Sequence, residues 1–307
     1  MSRFILARLL TACIVMLGVA SLVFLLLHLV PGDPVDVMLG ESATVADREA
    51  LRHQLGLDVP LLWQWGAYLV KLLHLDLGVS IHTRLPVAHL LAQRIPATVI
   101  LAAAAFLVSL CVAFPLGIGA ALKQGRAADR IAMLFSVTGV SIPNFWLGPL
   151  LVLLFSYWLG WLPVSGMDGW PSLVLPSLTL GTTLAALQSR MIRASLLEVL
   201  AEDYIRAARA RGLGETAVVL QHGLRNALLP VVTVLGLQLG ALLTGVVVTE
   251  TIFDWPGVGQ LTIEAIHKRD YPVVQGCILF ISAAYVAVNL LTDITYAWLD
   301  PRIRLDE

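Results

Sequence analysis

LLTACIVMLGVASLVFLLLHLV, running from Leu9 to Val30, decides the fold class. It carries no Asp, Glu, Lys or Arg and follows Arg3 and Arg8; at about 1.5 Å of rise per residue it is long enough to cross roughly 30 Å of hydrocarbon. A cleaved signal segment would end in a small-x-small site, whereas this run leads into Pro31-Gly32-Asp33-Pro34, so it is read as a retained first span. Working outward, five more apolar segments follow: Ala97–Leu122, Ile131–Leu159, Leu173–Leu187, Leu228–Thr249 and Val273–Leu291. Composition agrees. Of 307 residues, 58% are hydrophobic and 13% charged, about half the charge of a soluble domain, and the mean hydropathy is +0.84. An all-α polytopic membrane protein with six transmembrane helices is expected. A net charge of −1 gives no basic surface for nucleic acid. Cys13, Cys111 and Cys277 all fall inside apolar runs, as small packing residues rather than a disulfide or metal framework.

Positive charge orients the chain, because Lys and Arg in short loops stay cytoplasmic. With the N-terminus inside, the inner segments hold Arg3, Arg8, Lys123, Arg126, Arg130, Arg190, Arg193, Arg206, Arg209, Arg211, Arg225, Arg302 and Arg304. The outer ones hold Arg48, Arg52, Lys71, Arg84, Arg94, Lys268 and Arg269, although they are longer in total. Both termini are expected in the cytoplasm. The one long outer segment, Pro31–Pro96, reads as an ordered helical layer: Asp33 caps a helix begun by Pro34, and Ala46–Leu55, Leu61–Leu75 and Pro86–Ile95 each show helical apolar spacing. Trp63, Trp65, Trp158, Trp161, Trp170 and Trp255 fall where interfacial anchors are expected.

Two spans are irregular. Ile131–Leu159 contains Pro143-Asn144 and Pro149, which remove helix hydrogen bonds, so a break is expected near Pro143. That break is compatible both with a packed kink and with freed backbone and Asn144 lining a polar path. Leu173–Leu187, with Pro176 and Gly181, is short enough that its helix should extend beyond the apolar run. Polar groups inside spans are expensive, and the candidates are His28, Asn144, Gln188, Gln238, Asn289 and Asp293. Asn144, Gln188, Gln238 and Asp293 are candidates for a translocation path; the alternatives are amide bonds between helices and, for Asp293, an interfacial pairing with Arg.

Catalytic motifs are lacking. Lys71, Lys123 and Lys268 follow Val70, Leu122 and His267, so there is no Gly-Lys-Ser/Thr phosphate loop, and the seven histidines show no ligand spacing. No catalytic residue, cofactor or metal ligand is expected in this chain.

The most charged stretch is Arg190–Ala227, between the fourth and fifth spans. Ser195 and Glu198 have the spacing of a capping box, Leu197, Leu200, Tyr204 and Ala208 fall on one helical face, and Glu202 precedes Arg206 by four residues. Gly212 and Gly214 are placed to end the helix in left-handed backbone. Taken alone, amphipathicity fits a helix resting on the lipid surface, and Ala207 and Ala208 leave room for a close protein neighbour.

The spacing adds a resemblance. Leu197, then Arg206-Ala207-Ala208, Gly212-Leu213, Val219 and Leu224-Arg225 resemble the EAA loop of ABC importer permeases, with Arg206 where many members carry Glu, as in the peptide branch. Similarity to the dipeptide/oligopeptide/nickel permease family runs along nearly the whole chain. It is carried by Leu29-Val30-Pro31-Gly32-Asp33-Pro34, Gln54-Leu55-Gly56-Leu57-Asp58, Asp76-Leu77-Gly78, Arg94-Ile95-Pro96-Ala97-Thr98 and Pro143-Asn144-Phe145-Trp146-Leu147. Further on it is carried by Glu202-Asp203-Tyr204-Ile205-Arg206, Leu224-Arg225-Asn226-Ala227-Leu228-Leu229-Pro230, Glu250-Thr251-Ile252-Phe253, Trp255-Pro256-Gly257, Arg269-Asp270-Tyr271-Pro272-Val273 and Asp300-Pro301-Arg302-Ile303-Arg304.

The resemblance implies a type I ABC importer permease fold in the bacterial inner membrane. It also implies a second homologous permease as partner, two ATPase subunits that carry ATP and Mg, and a periplasmic solute-binding protein. Tyr204, Arg206, Ala207, Ala208, Arg209 and Gly212 would then couple the chain to the ATPases. Peptides, including glutathione-like ones, are the implied cargo, with nickel or a metal chelate as the alternative, to which His74, His82 and His89 lend faint support. The expected organisation is a first segment and span over 1–30, an outer layer over 31–96, a permease core over 97–298 and a tail over 299–307. Within the core the spans lie near 97–122, 131–159, 173–189, 228–249 and 273–297, and the coupling loop is 190–227.

Overall fold

A computed structural model of the chain describes residues 2–29, 44–54 and 58–299. The Asp33 cap, the Pro31-Gly32-Asp33-Pro34 turn, Leu55-Gly56-Leu57, the side chain of His28 and the closing Asp300–Arg304 motif lie outside the described residues. The helices are α1 (Ser2–Leu29), α2 (Val45–Gln54), α3 (Leu61–Leu73), α4 (Val87–Leu122), α5 (Ala127–Ser141), α6 (Asn144–Leu151), α7 (Trp170–Leu200), α8 (Asp203–Ala210), α9 (Leu224–Ile252), α10 (Val258–His267) and α11 (Tyr271–Leu299). Wider π-helical turns continue α6 through Val152–Trp158 and precede α9 over Val218–Gly223.

By length and apolar composition α1, α4, α7 and α11 can each cross a membrane, and up to six segments can if two bent pairs count as spans. The break expected near Pro143 is a bend of 108° between α5 and the α6–π segment, far sharper than a kink. Pro143 stands in extended backbone (φ −65°, ψ 144°) and opens a new helix rather than bending an old one. The second pair bends by 55° between Leu228 and Pro230, where the proline ring displaces the carbonyl one turn earlier. The separate helix expected over Pro86–Ile95 is instead the first part of the 36-residue α4. The fourth span does extend beyond its apolar run, to 31 residues.

The chain divides into two compact units, parted within α4 after Pro96 and within α11 after Val286. In the unit formed by residues 97–256 and 287–299, α4, α7 and α9 pack along their lengths. One layer joins Ala97, Leu101 and Ala105 to Leu180, Leu242, Val246 and Trp255; the next joins Ala113, Ala185, Ile192 and Val231; a third joins Ala121, Leu196, Val219 and Ala227. Close approach depends on glycine. A Cβ at Gly181 would stand 2.8 Å from the Ala105 carbonyl, one at Gly117 would stand 2.7 Å from Ile192 Cβ, and one at Gly236 would overlap Thr292. Trp255 is no interfacial anchor: it is 1% exposed, and its Nε1 donates to the Ala97 carbonyl at 2.9 Å. Trp63, Trp158, Trp161 and Trp170 are exposed.

In the other unit, Val87 and Leu91 of α4 pack with Val258, Leu261 and Ala265 of α10 and with Val273 and Cys277 of α11. Buried Asp270 ties the 78–86 turn to α11, accepting from Ser80 Oγ at 2.5 Å and from the Ile81 amide at 3.2 Å. Cys277 is a packing residue, as expected, while Cys13 and Cys111 are exposed on their helices.

Gly236 yields a stability prediction. Gly236→Ala should lower the thermal midpoint of the detergent-purified protein, since overpacking costs about 1–3 kcal/mol. Adding Thr292→Ala, which removes the two Thr292 atoms nearest the new methyl, should restore most of the loss in the same melting assay.

Candidate functional site

The Arg190–Ala227 stretch folds as the end of α7, the short helix α8, a turn, and the π segment that leads into α9. The expected capping box is not formed, because Ser195 lies inside α7, where its hydroxyl donates to the Ala227 carbonyl at 2.8 Å. The helix starts instead at Asp203 after Glu202 in extended backbone. Leu197 and Leu200 therefore belong to α7, not to one face with Tyr204 and Ala208. Arg206 pairs with Asp203 rather than Glu202. Gly212 takes φ +82° and ends α8 in the left-handed region, whereas Gly214, at φ −63°, does not.

α8 is held by its inner face. Ile205 and Ala208 are buried against Val218, with Val199 and Leu200 packed around them. Tyr204 Oη accepts from Asn226 Nδ2 at 2.7 Å, linking α8 to the start of α9. Arg209 donates to both carboxylate oxygens of Glu215, at 2.7 and 3.1 Å, and this bonding holds the Glu215 carboxyl below the usual carboxylate range. Tyr204, Arg206, Ala207 and Arg209 thus present side chains outward, while Ala208 faces the protein and Gly212 forms the cap. A Cβ added at Gly212 would meet nothing within 4 Å, so a side chain there meets backbone strain rather than a clash at Cβ.

The four candidate path residues lie in the same unit but in different settings. Asn144, half-buried at the first turn of α6, accepts from Thr183 Oγ1 at 2.6 Å. Gln188 is wholly buried on α7, and neither its amide oxygen nor its nitrogen has a protein partner. Gln238, 7% exposed on α9, donates to the Leu184 carbonyl at 3.3 Å, while its oxygen has no protein partner. Asp293 is half-buried on α11. Asn144 and the two glutamines thus converge on the Thr183–Gln188 stretch of α7, and Asp293 is not placed with them by any of these bonds.

Two buried acidic contacts escaped the sequence reading. Asp129 Oδ1 and Oδ2 receive Arg193 Nε and an Nη at 2.6 and 2.9 Å, joining α5 to α7, and the Gly125 amide adds a third bond at 2.9 Å. Glu250, 0% exposed, accepts from Thr98 Oγ1 at 2.6 Å. Asp129 stood two residues before the run Ile131–Leu159 and Arg193 six residues after the run Leu173–Leu187, opposite charges at ends expected on the same side of the membrane. Glu250 stood one residue past the apolar run Leu228–Thr249, with no local sign of its partner on α4.

A family model matches this architecture over most of the chain. Residues 113–305 match the binding-protein-dependent transport system inner membrane component, and residues 1–102 match the N-terminal membrane component of the same systems. The chain belongs to this family. The permease is 45% identical over 304 residues to the glutathione transport system permease protein GsiC of Salmonella choleraesuis (strain SC-B67), covering 99% of each chain. It is 44% identical, with the same coverage, to GsiC of Escherichia coli (strain K12). Its fold is similar to that of the inward-facing MetNI methionine ABC transporter, with TM-score 0.56, 18% identity, and 69% of this chain and 96% of that chain covered. An amino acid ABC transporter gives TM-score 0.52 at 15% identity, covering 70% and 94%. The protein is a multi-pass permease subunit of an ABC importer in the bacterial inner membrane, with the type I importer fold.

The packing under α8 yields a local prediction. Ile205→Ala should loosen α8 from Val218, since removing a buried isoleucine side chain costs about 2–5 kcal/mol. Amide hydrogen exchange over residues 203–210 should speed up at least tenfold while α4 and α7 stay protected.

Proposed function

We propose that the permease imports peptides of the dipeptide, oligopeptide or glutathione-like class, as one half of a transmembrane pair with a second homologous permease. Two ATPase subunits carrying ATP and Mg bind its cytoplasmic side, and a periplasmic solute-binding protein delivers cargo to the other. The observation that carries the cargo reading is the 45% identity, over 99% of both chains, to a glutathione transport permease. The side chains that favoured nickel support it poorly: His74 Nδ1 bonds the Val70 carbonyl, His82 Nε2 bonds the Lys268 carbonyl, and His89 Nε2 bonds Gln93, so the three are engaged separately. Among the described residues no group of three or more His, Cys, Asp or Glu side chains could hold a metal ion.

Both termini, and α8 with them, face the cytoplasm in this reading, on the strength of the Lys and Arg distribution. The outer segment 31–96 faces the periplasm. The outward side chains Tyr204, Arg206, Ala207 and Arg209 meet the ATPase, and closure of the ATPase dimer on ATP shifts α8 as a short lever. The shift passes into α7 through Leu200 and into α9 through the Tyr204–Asn226 bond. Gly212 sets where that lever ends.

The proposal is tested in proteoliposomes holding the whole complex and its binding protein. Labelled glutathione or a dipeptide should accumulate only with ATP on the ATPase side, and nickel should not. Gly212→Val should reduce uptake at least tenfold with assembly intact, because a β-branched residue resists φ +82°. Gly212→Asn, tolerated in that region, should retain most of it. Nickel uptake without peptide uptake would overturn the cargo reading, and full uptake by Gly212→Val would overturn the coupling role.

The path follows the same logic. Asn144, half-buried where the helix breaks, lines the water-filled route, while Gln188 is enclosed by this chain and Gln238 nearly so. In a complex free of native cysteines, Asn144→Cys should react with a small hydrophilic thiol reagent at a rate that changes when ATP is trapped. Gln188→Cys should stay inert in both states, and an inert residue 144 in a transporting complex would remove Asn144 from the path.

A further inference from the structure

α3 lies in the segment assigned to the outer layer, yet it has almost nothing to offer water. Between Pro60 and Leu75 the single charge is Lys71. Helical spacing divides its surface in three. Trp65, Tyr68 and Leu72 form the face toward α1, where Trp65 Nε1 donates to Ser21 Oγ at 3.0 Å and the Tyr68 ring stands 5.6 Å from that of Phe24. Gln64 and Lys71 form a narrow polar stripe. Leu62, Trp63, Val70 and Leu73 occupy the broad remaining face, and they are 79%, 75%, 54% and 84% exposed.

The contacts with α1 give that face a depth. Ser21 and Phe24 lie inside the apolar run Leu9–Val30, eight and five residues before the end of α1 at Leu29. At 1.5 Å per residue, α3 therefore packs roughly 7–12 Å below that end, close to the 5–10 Å at which interfacial helices rest. The flank of α1 is apolar and open at the same height, with Leu22 64% and Leu25 45% exposed. The Tyr68 hydroxyl is buried with no hydrogen-bond partner, and burial pushes its phenol up to about 12. Beyond α3, Leu75 keeps an 83% exposed side chain at φ +58°, a backbone conformation that leucine seldom adopts.

We propose that α3 is embedded in the membrane interface at the C-terminal end of α1, with its Leu62–Trp63–Val70–Leu73 face in the acyl chains of that leaflet and Lys71 at the headgroups. The exposed apolar surface of α1 continues into that of α3, so the lipid that covers one covers the other. A lysine on the polar stripe reaches the phosphates by extending its stem, and Trp63 adds an aromatic ring at the level such rings favour. A solute-binding protein docking here would meet a face without charge whose one hydrogen-bonding side-chain group is the Trp63 indole N–H, whereas such interfaces carry a polar rim.

The test uses the assembled complex in lipid nanodiscs, with Cys13, Cys111 and Cys277 replaced and single spin labels at 62, 73 or 58. Relaxation by oxygen relative to a water-soluble nickel chelate should be several-fold higher at 62 and 73 than at 58. Chelate access at 62 and 73 equal to that at 58 would overturn the proposal in favour of a water-exposed docking face. Exclusion of both reagents would overturn it in favour of a protein neighbour. A second measurement needs no substitution: a phospholipid with a diazirine in the upper acyl chain, photolysed with the unmodified complex, should leave adducts within residues 61–75, and their absence would overturn it. Neither readout depends on transport, so neither can fail merely because the cargo reading fails.

Discussion

Close approach between helices is the constraint on which the packing of this permease rests. In hydrocarbon a leucine gains little by leaving lipid for another leucine, so helices hold together through short contacts and interhelical hydrogen bonds. Gly117, Gly181 and Gly139 supply those contacts, each placed where a Cβ would stand within 2.8 Å of a neighbouring helix. The layers of alanine and leucine between α4, α7 and α9 can form because the glycines have already set the spacing.

α8 depends on that frame in turn. Its eight residues are too few to be a stable helix alone, and its order comes from burial of Ile205 and Ala208 on residues of α7 and the π segment. Arg209–Glu215 and Tyr204–Asn226 fix its rotation, but exposed ion pairs contribute little energy. The apolar face is therefore the firm attachment, and the charged face stays exposed.

Much of this was legible in the sequence, and the exceptions have physical reasons. Apolar length marks a helix able to cross a bilayer whatever it packs against, so the long spans stood out. The break at Pro143 was legible because proline removes a donor locally, but its 108° angle depends on what α5 and α6 each pack on. Ser195 and Glu198 imitate a helix start, yet the hydroxyl found a carbonyl 32 residues away, a partner that no local pattern reveals. Trp255 has the composition of an anchor and the burial of a core residue, because its indole nitrogen meets Ala97 across the fold. α3 showed its helical spacing plainly, while its depth came only from Ser21 and Phe24. In the site, the Arg206–Gly212 motif was legible as a block, and the inward turn of Ala208 was not.

The polar contacts on α7 do a different job from its apolar ones. Away from the glycine contacts, a helix faced with alanine, leucine and isoleucine can slip by a turn against a similar neighbour at small cost, since each new contact resembles the old. Polar partners at fixed heights remove that freedom. Thr183 meets Asn144 of α6, the Leu184 carbonyl meets Gln238 of α9, the Ala186 carbonyl meets Ser136 of α5, Arg193 meets Asp129 of α5, and Ser195 meets the Ala227 carbonyl of α9. Interhelical hydrogen bonds of this kind average only about 0.6 kcal/mol, too little to hold the bundle together. A slip of one turn would break several of them at once and leave the buried ones, such as Asp129, Ser136 and Ser195, unpaired, each costing about 1–3 kcal/mol. α7 thus sets the register of α5, α6 and α9 against one another, while the apolar layers supply the contact area that keeps them in place.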